Sequence, residues 1–332
     1  RKHRRSRSSM RLPPQPGRRS KMLFLGLDTS NYTTSAAVCF SDGAVQHAKK
    51  LLPVKSGEKG LRQSDAFFHH VNQLPEVFAQ ATKNLLQMPI AVGVSAKPRD
   101  EIGSYMPCFN VGVSFGKTIA QLLNVPCYEF SHQAGHIAAA LYSAKKIELL
   151  SQKFLAFHVS GGTTEALLVT PAANNVIKTQ IVAKTLDLNA GQLIDRIGIM
   201  LGQEFPAGAS LEKLALNCND NFKITPTLKG CDCCLSGIEN LCAKMKLEQQ
   251  DDEKIARFCI EYVGATLEKM CENLLVICGQ LPVVFAGGVM SNSIIKNRLQ
   301  SRFDAIFGKP VFSSDNAVGI SVLTAIKVGE LR

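Results

Sequence analysis

At 332 residues the chain is long enough to close two hydrophobic cores of ordinary size, so two lobes are the starting expectation. It carries 38 Lys and Arg against 27 Asp and Glu, but nine of the basic residues fall in the acid-free stretch 1–21, leaving a body of 29 against 27 without gross basic character. No run approaches the ~20 apolar residues of a membrane span. Eleven scattered cysteines, an odd number, fit a reducing compartment better than a disulfide framework, so a cytoplasmic protein with no membrane contact is expected.

Residues 1–21 hold Pro13, Pro14, Pro16 and Gly17 and almost no apolar side chain, which predicts a disordered basic tail. The tail has neither the apolar stretch of a secretory signal nor the amphipathic period of a transit peptide. It reads as an upstream extension or a cloning remnant, with Met22 as the natural start.

From Met22 the pattern is strand (Leu23 to Leu27), polar run (Asp28 to Ser35), strand (Ala36 to Phe40), a hairpin with a hydroxyl-rich tip. Apolar residues at helical spacing predict a helix over 65–86, followed by a short buried strand from Ala91 to Ser95. A helix from Val111 to Leu123, a strand from Pro126 to Phe130 and a helix from His132 to Tyr142 come next. The second half restarts the theme: strand Phe154 to Ser160, a Gly161-Gly162-Thr163-Thr164 turn, strand Glu165 to Thr170. A mostly helical stretch from 190 to 280 is followed by strand Val283 to Ala286, a Gly287-Gly288 turn and a helix from Asn292 to Arg302. A strand near Val311 and a helix over 316–328 close the chain. Strands alternating with helices predict an α/β protein with mixed sheets covered on both faces, split into lobes 22–131 and 132–332, the last helix packing back on the first lobe.

Four constellations carry chemistry. The hairpin tips 28–34 and 160–164 offer hydroxyls and uncrowded backbone N–H groups of the kind that hold a phosphate, and their repetition in each half suggests a nucleotide clamped between lobes. Ser30, Thr33 and Thr34 at the first tip, with Gly287 and Gly288 later, are the candidate phosphate contacts. His132 and His136, at i and i+4, present both imidazoles on one helix face, and Asp315 at a strand-to-helix turn is the candidate third ligand of a divalent ion such as iron, zinc or magnesium. No Glu stands between the histidines, so the His-Glu-x-x-His protease pattern is absent. In Ala286–Asn292 the glycines admit a ligand close to the backbone, while Ser291 or Asn292 would equally serve as a helix N-cap. Asp195 is either a solvated helix residue or a carboxylate for ribose hydroxyls. Cys231, Cys233 and Cys234 match no zinc-ribbon spacing and read as free thiols in a loop.

Taken in order, these stretches resemble the tRNA threonylcarbamoyladenosine synthase family, formerly called O-sialoglycoprotein endopeptidases, over about residues 23 to 328. The resemblance implies the two-lobed actin/sugar-kinase/heat-shock-ATPase (ribonuclease H-like) fold. It also implies transfer of a threonylcarbamoyl group from threonylcarbamoyl-AMP to the adenine next to the anticodon of tRNA, together with partner proteins. By similarity His132, His136 and Asp315 fall on the metal ligands, iron in the family. Val159, Ser160, Gly161, Gly162, Asp195, Gly208 and Asn292 fall on positions that hold the adenylate.

The pattern also departs from the family. Tyr32 and Thr33 stand where it has two acids, Thr163 where it has a His, Glu239 where it has a Lys, and the longer Ala96–Glu101 segment replaces a Gly-Pro-Gly turn. Two other readings therefore stay open: a paralogue that serves a different acceptor, and a non-catalytic scaffold of a tRNA-modification complex.

Overall fold

A computed structural model describes residues 21–30, 32–53, 61–312 and 315–331, so the tail expected to be disordered lies, apart from Lys21, outside the described residues. The first sheet is built from β1 (Leu23–Ser30), β2 (Thr33–Phe40), β3 (Val45–Leu51), β4 (Ala91–Lys97) and β5 (Cys127–Ser131), in the order β3-β2-β1-β4-β5. Helices α1 (Gln63–Ala81) and α2 (Phe109–Leu123) cover one face, and α3 (His132–Ala144) follows β5 directly.

The second sheet takes β6 (Phe154–Val159), β7 (Thr164–Ala172) and β8 (Val176–Lys184). The chain then crosses α4 (Ala190–Met200), α5 (Gly208–Ala215), the short pair β9 (Leu228–Lys229) and β10 (Asp232–Cys233), α6 (Ser236–Leu247) and α7 (Asp252–Cys278). It returns through β11 (Val283–Ala286), α8 (Ser293–Arg302), β12 (Ala305–Phe307) and α9 (Val318–Val328). The second sheet runs β12-β11-β6-β7-β8, the same order as the first when read from β8. In each, an antiparallel hairpin is extended by parallel strands on its first strand.

Residues 28–30 and 33–35 of the polar run are strand, not loop: β1 and β2 stay paired from Leu23↔Phe40 to Ser30↔Thr33. All of β1 is buried because both faces are covered, and the hydroxyls of Thr29 in β1 and Thr34 in β2 find partners in the covering layer. Thr29 Oγ1 donates to the Cys108 carbonyl at 3.0 Å and accepts from Gly112 N–H at 3.1 Å, while Thr34 Oγ1 lies 2.8 Å from His70 Nδ1. Buried polar groups persist when bonded in this way.

The other face of the first sheet is closed by α9, whose Val318, Val322 and Ala325 pack with Phe24, Ala37, Cys39 and Ala91. The opposite side of α9 packs Ile320 and Leu323 against Ala134, Ala138 and Leu141 of α3 and, with them, Ala156 and Val284 of the second sheet. A helix buried on both sides reads apolar all round, as Val318 to Ala325 does. Each fully buried Val, Ile or Leu here contributes about 1.5–3 kcal/mol. At Gly26 strand and helix meet backbone to backbone, and an added Cβ would sit 2.5 Å from Ser321 N and 2.7 Å from the Ala317 carbonyl.

Two expectations need correction. The strand near Val311 is a short 3-10 turn, and the edge strand is Ala305–Phe307, set by pairing with Val283–Phe285. The terminal helix starts at Val318 rather than 316, because Asn316 Oδ1 accepts the Val318 N–H and occupies the entry turn.

Candidate functional site

Helix α3 begins at His132, with Ser131 as its N-cap accepting the Ala134 N–H at 3.2 Å. That start puts His132 and His136 on the first and second turns of one face, with their Nε2 atoms 2.9 Å apart. Asp315, in the turn before α9, brings Oδ1 to 3.2 Å from His136 Nε2 and 3.5 Å from His132 Nε2. Among the described residues these three form a cluster with ligand atoms all within 4.8 Å of one another.

Behind His132 stands Asp28, 1 % exposed, whose Oδ2 lies 2.9 Å from His132 Nδ1. A carboxylate at one ring nitrogen fixes the tautomer and turns the other nitrogen toward a metal. Burial alone would depress the His132 pKa, but the charges and hydrogen bonds of Asp28 and Asp315 overcome it and push it up to about 10. Burial likewise works against ionised Asp315, yet the two imidazoles hold it well below the ordinary carboxylate range. Two carboxylates flanking two imidazoles make a pocket in want of positive charge, and the donor set suits a divalent ion.

The triad opens onto a cleft of about 1130 Å³ between the two hairpins. Ser30, Tyr32 and Thr33 line it from the first hairpin, Ser160, Gly162 and Thr163 from the second, and Gly288 and Ser291 from the turn after β11. Thr33 Oγ1 is 3.5 Å from Asp315 Oδ2. Ser160 Oγ accepts the N–H groups of Gly162 at 3.3 Å and Thr163 at 3.1 Å, shaping the second tip.

Other residues singled out from the sequence stand back from the cleft wall. Thr34 turns to His70 and Gln73, and Val159 is fully buried. The exposed Gly161 packs by its backbone against Gly191, and Gly287 adopts φ +102°, where an added Cβ would meet the Val159 carbonyl at 2.2 Å. Asp195 Oδ1 accepts the Ala207 N–H at 2.8 Å, tying α4 to the segment before Gly208. Asn292 Oδ1 accepts from Ile294 and Ile295, both at 3.1 Å, which is the N-cap arrangement.

Sequence reasoning passed over several residues the fold brings in. Asp28 belongs by sequence to the first hairpin tip, but its carboxylate faces His132. His158, at the end of β6, has its ring 5.0 Å from that of His136 and lines the cleft. Burial and then the neighbouring imidazoles hold its pKa down to about 3. Arg99, Gln133 and Glu165 form a polar cluster at the same wall. Cys231 and Cys234 are half-buried, and burial pushes the Cys233 thiol up to about 12, which leaves it unreactive.

Two sheets of matching order facing a cleft define the actin/sugar-kinase/heat-shock-ATPase class of two-lobed proteins. Full-length HypF in its phosphate- and nucleotide-bound form superposes with a TM-score of 0.58 at 13% identity, covering 94% of this chain and 46% of that one, so this chain spans about half of HypF. The activator of the 2-hydroxyisocaproyl-CoA dehydratase from Clostridium difficile, with bound ADPNP, gives 0.51 at 13% identity, over 93% of this chain and 96% of that one.

The sequence narrows the class. The model of the tRNA N6-adenosine threonylcarbamoyltransferase family matches residues 56–322, and the chain belongs to that family, whose named members are transferases. The threonylcarbamoyltransferase of Neorickettsia sennetsu is 26% identical over 314 residues, covering 90% of this chain and 92% of the relative. That of Methanopyrus kandleri is 24% identical over 273 residues, covering 82% and 76%. At this distance the chain is a divergent member.

Proposed function

We propose that this protein transfers a threonylcarbamoyl group from threonylcarbamoyl-AMP to the adenine next to the anticodon of tRNA, in company with the partner proteins of a threonylcarbamoylation complex. The observation that carries the reading is the convergence of His132, His136 and Asp315 in the cleft between two hydroxyl- and glycine-bearing hairpins of a threonylcarbamoyltransferase family member. His132, His136 and Asp315 would hold one divalent ion, which when bound supplies Lewis-acid polarisation of the acyl carbonyl.

The chain's own groups do the rest. Asp28 keeps a proton on His132 Nδ1 and so leaves Nε2 free as a ligand atom. The second hairpin tip, held in shape by Ser160 Oγ through the Gly162 and Thr163 N–H groups, brings glycine backbone without side-chain bulk to the adenylate phosphate. The buried ring of Phe109, 5.9 Å from that of His132, gives the cleft an apolar wall beside the histidines. In the transfer the adenine amine forms a C–N bond to the carbonyl carbon, the C–O bond to phosphate breaks, and AMP and one proton leave.

A second reading, transfer to a different amine, is favoured by Tyr32 and Thr33, which line the cleft where the family's first hairpin carries acids. One assay separates them: purified protein and its partners with tRNA and threonylcarbamoyl-AMP, followed by mass spectrometry of the digested tRNA. Formation of N6-threonylcarbamoyladenosine by wild type and its loss in His136→Ala is the expected result. No product from wild type, with gain of product in Tyr32→Asp/Thr33→Glu, would instead favour the other acceptor.

A further inference from the structure

Among the described residues lining the cleft, Arg99 is the one Lys or Arg, set among the carboxylates Glu101, Glu165 and Asp315. It stands just after β4, on the segment that leads from that strand toward α2. The guanidinium is braced from behind. Its Nη2 donates to Glu165 Oε2 at 2.9 Å, and the Glu165 side chain is 4% exposed whereas that of Arg99 is 40% exposed. Glu165 Oε1 accepts from Gln133 Nε2 at 2.7 Å, and Gln133 Oε1 lies 2.8 Å from the Thr179 hydroxyl. Thr179 N–H donates to Asp100 Oδ2 at 3.2 Å, which closes a polar ring on the residue next to Arg99.

The backbone is fixed as well: the Pro98 carbonyl accepts Gln133 N–H at 3.1 Å, and Arg99 N–H donates to Ser104 Oγ at 3.0 Å. Gln133 directly follows His132, so the ring ties the guanidinium to the helix that carries the histidines.

We propose that Arg99 binds the carboxylate of the acyl group, holding the donor by its threonyl end while the phosphate sits at the glycine turn. This rests on the donor named in the Proposed function. A guanidinium has five N–H donors in a planar fork, and the single side-chain bond to Glu165 leaves a pair of them for a carboxylate on the cleft side. A buried carboxylate spent on one edge of an arginine fixes the direction of the other edge, which a freely rotating surface arginine lacks. Carboxylate and phosphate are both anions; the glycine-bearing tip already suits the phosphate, and Arg99 supplies the charge at the other wall. Glu165 is then a positioning residue, acting through Arg99.

The experiment is calorimetric titration of the purified full chain, carrying its metal, with N-carbamoyl-L-threonine, the corresponding uncharged amide, and AMP. Arg99→Ala is expected to weaken N-carbamoyl-L-threonine by about 10- to 100-fold, the scale of a charge-assisted bidentate pair, and to leave AMP unchanged. Wild type should prefer the acid to the amide, and Arg99→Ala should not. Arg99→Lys keeps the charge beside Glu165 but loses the fork, so it falls between the two and guards against a fold defect. Glu165→Gln should weaken the acid and again spare AMP. Unchanged binding of the acid by Arg99→Ala, no binding of the acid by wild type, or loss confined to AMP each overturns the assignment. Failure of wild type to bind AMP counts against the adenylate reading itself, whereas normal AMP binding with an indifferent Arg99 sinks this inference alone.

Discussion

The two hairpins occupy equivalent places in sheets of matching order, yet their ends are built for different work. β1 and β2 stay paired up to Ser30↔Thr33, their last residues are buried, and Asp28 turns its carboxylate onto His132. The β6–β7 hairpin ends its ladder at Val159↔Thr164, with Gly161 and Gly162 exposed and Ser160 Oγ bonded back to the turn. One fold element, used twice, thus gives a buried carboxylate that braces an imidazole in the first sheet and an open backbone surface in the second. Burial makes the difference: an anion beside an imidazole is strong only where water is excluded, while a backbone phosphate site requires open space.

This contrast can be broken by substitution. The largest effect is expected for His136→Ala, which removes one of the three proposed ligand side chains: copurified metal, read by elemental mass spectrometry, should disappear together with transfer activity. Asp28→Asn keeps the shape but removes the orienting charge and should cost about 10- to 100-fold in metal affinity, the scale for such supporting groups. Ser160→Ala, at the equivalent end of the other hairpin, should leave metal affinity unaltered; equal losses in the two variants would erase the division of labour.

Gly26→Ala would force a Cβ into the α9 backbone and should lower stability by about 1–3 kcal/mol in urea unfolding, with no preference for either hairpin's ligand. The smallest effect is expected at Asp187, an exposed residue whose carboxylate accepts the N–H groups of Leu235 at 2.8 Å and Ser236 at 3.2 Å at the start of α6. Partial burial works against its charge, but the hydrogen bonds from Ser236, Leu235 and Leu188 draw its pKa down from 3.8 to about 2. A depressed carboxylate stabilises the fold above its unfolded pKa, so the gap of at most about 1 kcal/mol between wild type and Asp187→Asn should be full above pH 4 and close as pH falls through about 2.

What could be read in advance was whatever repeats with a period. His132 and His136 declare one helix face by their spacing, and the strand–turn–strand restart at Phe154 foretells the second sheet. The hydroxyl run 28–35 misleads because Thr and Ser look like loop residues until helices on either side satisfy them. β3 and β8 escape notice because edge strands mix exposed and buried residues, as Val45–Leu51 does, and Val311 attracts a strand reading that the three-residue ladder to β11 assigns to Ala305–Phe307. Glu165, Gln133, Thr179 and Arg99 lie up to 80 positions apart and share no period, so only the closed fold brings them together.

The position of Asp315 has a consequence for biosynthesis. Asp28 and Asp315 flank the same imidazole from opposite ends of the chain, and the second is held by a helix that must first seat itself on β1. A nascent polypeptide emerging from the ribosome can therefore fold much of both sheets and still lack the assembled His132–His136–Asp315 cluster until its final helix docks. Assembly of the triad is thus a late event, and a premature stop before Asp315 would leave a protein with both histidines but without the carboxylate that faces the pair.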